Sequence, residues 1–141
     1  MPSCTFFGHR RITNDITQKL HSSIVELIVN NNVTTFYVGC NGDFDKAVIK
    51  ELEQLAMLYP ITYYVVLAYM PTLKSVQYKN SIYPEGIELT PKRFAIPYRN
   101  KWMIKQSDYV ITYIENPVGS GAAKFRDIAV KNEKLVIALY P

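Results

Sequence analysis

The stretch DYVITYIENPVGSGAAKFRDIAVKNEKLVIAL, residues 108–139, decides the fold. It opens on an apolar run, residues 108–114, rich in the β-branched and aromatic side chains that suit a pleated strand. A polar turn bearing glycines follows, then residues 119–131 with the pattern of a helix, then a second short apolar run at 135–139. Strand, helix and strand within about 30 residues make one crossover unit of a parallel sheet.

The same alternation runs back to the N-terminus. Residues 3–7 form the first strand, which stops at Gly8; Ile16, Leu20, Ile24, Leu27 and Ile28 then recur at helical spacing. Asn30, Asn31 and Asn32 end that helix, because short amides favour turns and tolerate left-handed backbone. Residues 34–38 are the second strand, and Phe44, Ala47, Val48, Leu52 and Leu55 mark one face of a second helix that ends before Pro60. Residues 61–69 form a third strand, apolar enough to be covered on both faces. The stretch 71–91 holds Pro71, Pro84, Gly86 and Pro91 with no sustained period, and reads as an irregular excursion expected to order over a ligand. Residues 93–106 return to a helix, with Pro97 near its first turn, where proline is tolerated. The prediction is an α/β fold: a three-layer, Rossmann-like parallel sheet of about five strands with helices on both faces, in one domain spanning 1–141. Right-handed crossovers between neighbouring strands give an order near 3-2-1-4-5.

Composition narrows the function classes. The 141 residues are 48% hydrophobic and 20% charged, an ordinary globular balance able to bury a core. Of the 11 tyrosines, several fall within strands as half-buried sheet residues. The net charge of +4 favours an anionic partner weakly. Its distribution says more: from Leu89 to Ser107 there are Lys92, Arg93, Arg99, Lys101 and Lys105 and no acidic residue. Cys4 and Cys40 make no disulfide framework and have no metal-type spacing to His9 or His21, so no metal is expected. The N-terminus lacks the pattern of a signal peptide and no apolar run approaches the ~20 residues of a membrane span. The expected setting is a cytoplasm, without a membrane partner.

In an open parallel sheet, ligands bind beyond the carboxyl ends of the strands, where the strand order reverses. That point lies between the first and fourth strands, flanked by Gly8-His9-Arg10 and by the loop from Glu115 to Gly121. Gly119-Ser120-Gly121-Ala122 opens a helix directly after a strand; free N–H groups there favour an anion such as phosphate, and Ser120 adds a hydroxyl. A plain turn with a helix N-cap accounts for the same four residues. The run is neither a dinucleotide fingerprint, with Lys124 at the third small-residue position, nor a P-loop. The loop from Gly39 to Gly42 also joins a strand to a helix, and Asp45 is either a first-turn carboxylate favoured by the helix dipole or an acceptor for ribose hydroxyls. Arg can clamp phosphate bidentately, as Arg10 would, and His9 is structural or solvated more readily than catalytic. Arg93, Arg99 and Asn100 either converge on the same pocket from a helix above the sheet or belong to a solvated helix face with Trp102 and Met103 as core, which accounts for Lys101 and Lys105 but less well for the missing acids.

Together these pieces resemble the SLOG superfamily, specifically its small stand-alone bacterial and phage members. Residues 4–10, ending in Gly8-His9-Arg10, resemble the opening of that family. Gly39, Gly42, Asp45 and Ala47 resemble its second signature, and residues 99–104 with Ser107 and Asp108 its third. Ser120-Gly121-Ala122 stands where the family usually carries Gly-Gly-Thr. The likeness covers nearly the whole chain, with 71–91 unmatched. It implies a Rossmann-like fold with a pocket for nucleotides or NAD-derived molecules such as ADP-ribose species, used by some relatives as sensors and by others for hydrolysis. Cytokinin-activating phosphoribohydrolases carry Pro-Gly-Gly-x-Gly-Thr-x-x-Glu; here Phe125 stands in place of that Glu and Ala122 in place of the Thr.

The leading expectation is therefore a sensor or sequestering protein for an ADP-ribose-type or cyclic nucleotide signal, without turnover and without a cofactor. In it Gly119 to Ala122 hold phosphate, Asp45 or Glu115 hold ribose, and Trp102 or a tyrosine stacks on the base. The alternative is an N-glycosidase acting on a nucleoside monophosphate, with Asp45, Asp108 or, best placed, Glu115 doing the work of the missing Glu. Nucleic-acid binding, as in the related DNA-processing protein fold, ranks last, because no recognition helix or RNA motif is present. A homodimer through aromatics such as Tyr78 or Tyr83 is compatible with the sequence, which does not demand it.

Overall fold

The computed structural model describes residues 2–69, 78 and 80–141. Its layers follow from the period-two pattern of the strands. In β1 (Ser3–Gly8), Cys4 and Phe6 enter one core and Phe7 the other, since successive strand side chains point to opposite faces. β2 (Thr35–Val38) and β5 (Tyr109–Tyr113) repeat this, with Phe36, Val38 and Ile111 on the first side and Val110 on the second. α1 (Thr17–Asn31) and α2 (Asp43–Leu55) cover the first face through Leu20, Ile24, Leu27, Phe44, Val48 and Leu52. α3 (Ala95–Gln106) and α4 (Gly121–Lys131) cover the second with Met103, Ile104, Phe125 and Ala129.

With β3 (Thr62–Val66), β4 (Ser81–Ile82) and β6 (Leu135–Ala138), the described residues form a six-stranded sheet, all parallel, in the order β4-β3-β2-β1-β5-β6. The five strands expected from the sequence keep their order; the sixth, β4, is added at one edge. It lies inside the stretch read as irregular, and its two residues pair with Val65 and Val66. A strand this short carries no readable alternation, so only its neighbour could reveal it. Ile87–Leu89 and Lys92–Phe94 are further 3₁₀ turns. Of the stretch 71–91, expected to order over a ligand, residues 71–77 and 79 lie outside the described residues.

Three boundaries move. β3 is shorter than 61–69 and less covered: Val65 and Val66 are buried, but Thr62 is exposed and Tyr63 and Tyr64 are half-buried beside the edge. α3 starts at Ala95 because Lys92–Phe94 is a 3₁₀ turn, which leaves Arg93 ahead of the helix. α4 starts at Gly121, since Gly119 at φ +69° has left-handed backbone that cannot enter a helix. The asparagine run does end α1, with Asn32 left-handed at φ 56° and its N–H donating to the Leu27 carbonyl. Tyr78 is half-buried, packed in part against the first core. Among the described residues no helix is long and apolar enough to cross a membrane.

Candidate functional site

Helices change face between β1 and β5, so the loops leaving those strands diverge and open a hollow at their carboxyl ends. A cavity of about 250 Å³ occupies this point. Gly8, His9 and Arg10 line it from the end of β1, Gly39, Asn41 and Asp45 from the β2–α2 connection, Arg99 and Asn100 from α3, and Ser120, Gly121 and Ala122 from the start of α4.

Local packing dictates the glycines. A Cβ on Gly8 would stand 2.3 Å from the Phe44 ring, which is buried and stacked on Tyr113. A Cβ on Gly39 would meet Asp45 Oδ2 at 2.9 Å and Arg99 Cζ at 3.0 Å. Gly42 does not line the cavity. Its φ of +120° and a virtual Cβ only 2.6 Å from Arg10 Cα show that it lets two loops touch. There the Asp43 N–H donates to the Arg10 carbonyl at 2.7 Å and Asp43 Oδ2 accepts the Ile12 N–H at 3.2 Å.

The polar centre is Arg99, only 3% exposed. Its Nη1 donates to Asn41 Oδ1 at 2.5 Å and its Nε to Asn100 Oδ1 at 3.2 Å. Asn41 also donates its backbone N–H to Asp45 Oδ2 at 2.9 Å, so one asparagine braces both charged neighbours. A guanidinium has five N–H donors. No fully buried side-chain N or O atom among the described residues lacks a partner. Nη2, which makes neither of these bonds, is therefore not sealed from open space. Burial lowers the Arg99 guanidinium from its usual value, against the attraction of Asp45. Burial likewise pushes the Asp45 carboxyl up, against the Asn41 N–H and the charges of Arg99 and Arg10. Asn41 was missed because its partner lies 58 residues away, although it sits within a loop singled out from the sequence.

At the other wall, Ser120 caps α4: its Oγ accepts the Ala123 N–H at 3.2 Å. A Cβ on Gly121 would meet nothing within 4 Å. The floor includes Phe7 and Phe125, stacked at 5.7 Å between centroids. Phe125 is also part of the second core.

Several expected site residues lie elsewhere. Glu115 does not line the cavity; its Oε1 accepts from Asn14 Nδ2 at 2.9 Å and from the Tyr113 hydroxyl. Arg93 is exposed, its guanidinium 4.8 Å from the Phe94 ring centroid, because the 3₁₀ turn aims it away from the α3 face. Gly119 supplies the turn and stays off the wall. Asp108 is at the opposite end of the sheet, where its carboxylate accepts the Ser3 N–H at 3.0 Å. Trp102 packs edge-on against Tyr37 at 5.5 Å beside the second core and does not line the cavity. Cys4 is buried, and burial raises the Cys40 thiol above its ordinary range. Among the described residues no group of three or more His, Cys, Asp or Glu could hold a metal ion. No protein-family model matches this chain, and no curated protein matches it.

Proposed function

We propose that this chain binds a nucleotide-type ligand, an ADP-ribose-type or cyclic nucleotide signal, in the cavity between β1 and β5 as a sensor or sequestering protein without turnover. One observation carries the reading: the Arg99 guanidinium, almost wholly buried, keeps N–H donors in reserve in a cavity whose far wall is the start of α4. Burying a cation is costly unless it is paired, and two amide oxygens and a carboxylate that burial holds toward its neutral form only partly offset that cost. An anion completes the set, because Arg matches phosphate bidentately and helix N-termini favour negative charge. Asp45 supports a ligand that also carries hydroxyl donors, as ribose does, and the Phe7–Phe125 floor supports an apolar or aromatic face.

A thermal-shift screen tests this with NAD, ADP-ribose, cyclic ADP-ribose isomers, cyclic dinucleotides and nucleoside monophosphates, each hit then recovered by chromatography. A ligand at about 100 times its Kd stabilises the fold by about 2.7 kcal/mol. The expected result is a hit recovered unchanged and lost in Arg99→Met. A single observation favours a second reading: Asp45 is a carboxylate within the cavity, as a glycosidase requires. Free base released by the wild type at high enzyme, but not by Asp45→Asn, would put hydrolysis in place of binding.

A further inference from the structure

We propose that His9 is the positioning residue of this cavity: its Nε2 fastens the β5–α4 loop, and its Nδ1–H is the group left to face a ligand. The inference rests on the binding reading and adds how the site is held in shape.

His9 Nε2 lies 2.8 Å from the Glu115 N and 3.3 Å from the Asn116 N, both backbone donors. A nitrogen that accepts two N–H groups must present a lone pair, and a neutral imidazole carries one proton on its other nitrogen. The two contacts therefore select the Nδ1–H tautomer. Nδ1 has no hydrogen-bond partner among the described residues, on a side chain that lines the cavity. The ligand atom that meets it is then an acceptor, such as a phosphate oxygen.

The loop needs this fastening. From Glu115 to Ser120 its own hydrogen bonds are local: the Val118 N–H to Asn116 Oδ1 at 3.1 Å and the Ser120 N–H to the Pro117 carbonyl at 3.2 Å. Besides the Tyr113 hydroxyl on Glu115 and the Ser120 cap of α4, its ties run to the segment after β1, through His9 and through Asn14 on Glu115. That segment is itself tied to Asp43 at Arg10 and Ile12. His9 thus sets where Ser120 and Gly121 stand relative to the loop that carries Asn41 and Asp45. An edge-on contact with Tyr113, 6.4 Å between centroids, holds the ring plane.

The test separates the two nitrogens. In ligand-free, ¹⁵N-labelled protein, the His9 imidazole should show an unprotonated Nε2 and a protonated Nδ1. Glu115 and Asn116 amides should exchange slowly. His9→Gln places an amide oxygen where Nε2 stands and should keep that protection. His9→Asn places its amide where Nδ1 stands and should lose protection by about tenfold or more, the order expected for two hydrogen bonds. With AMP as the probe, His9→Asn should bind about tenfold more weakly than the wild type, since the loop is released. A proton on Nε2, or equal exchange in wild type and His9→Asn, would overturn the proposal. The tautomer and exchange are read without ligand. If AMP and the other nucleotides fail to bind the wild type, the binding reading falls, while these two measurements still decide the role of His9.

Discussion

Gly121→Asp should move stability and affinity in opposite directions. A Cβ at this position meets nothing within 4 Å, the residue begins α4, and the first turn of that helix carries no acidic side chain. In the free protein the new carboxylate therefore lies near unpaired N–H groups, a placement that stabilises by about 0.3–1 kcal/mol, and replacing a helical glycine adds a few tenths. The melting temperature should rise by a few degrees, since about 1 kcal/mol corresponds to roughly 2–8 °C at this size. A phosphate seated on the same N-terminus would stand about 4 Å from that carboxylate. Two like charges at that distance repel by about 4 kcal/mol at an effective dielectric constant of 20, a loss of roughly a thousandfold in Kd. Thermal melts with and without ADP-ribose, followed by calorimetric titration of each protein, read both effects. A raised melting temperature together with wild-type affinity would refute the placement of an anion on α4.

The glycines that bring the loops together should be far less tolerant. Gly8→Ala puts a methyl 2.3 Å from the Phe44 ring, whose burial and stacking on Tyr113 leave it nowhere to go, and should cost about 1–3 kcal/mol in urea unfolding. An unchanged midpoint would mean that the ring yields. Gly42→Ala combines a φ of +120° with a Cβ 2.6 Å from Arg10 backbone, so it should lose about 1–3 kcal/mol and speed amide exchange at Asp43. Equal exchange at Asp43 would count against the loop clasp. Burial raises the Asp45 pKa in the folded state, so its contribution to stability is fully present below the unfolded value of about 3.9 and is lost as pH rises through the raised one. Asp45→Asn should accordingly melt higher than wild type at pH 7, with the gap closing as pH falls toward 3.9; a gap constant across that window would show that the carboxyl titrates alike in both states.

What could be read from sequence was whatever a local period encodes. Alternation at two along β1, β2 and β5 and helical spacing in α1 and α2 sort residues into the two cores, and the strand order then locates the switch point without coordinates. The glycine loops at residues 39–42 and 119–121 were legible as strand-to-helix turns for the same reason: their chemistry is backbone chemistry. The aim of each polar side chain was not. Arg93 and Arg99 are equivalent as sequence, yet a 3₁₀ turn leaves one against Phe94 and the helix buries the other beside Asn41. Glu115 looked like the better carboxylate because it ends a strand, but Asn14 and Tyr113 hold it away while Asp45 remains in the cavity. His9 turned out to serve a loop more than 100 residues on. Each of these outcomes depends on contacts between segments far apart in the chain, and distant contacts leave no period in the sequence. Tertiary packing alone therefore decided which charges face the cavity.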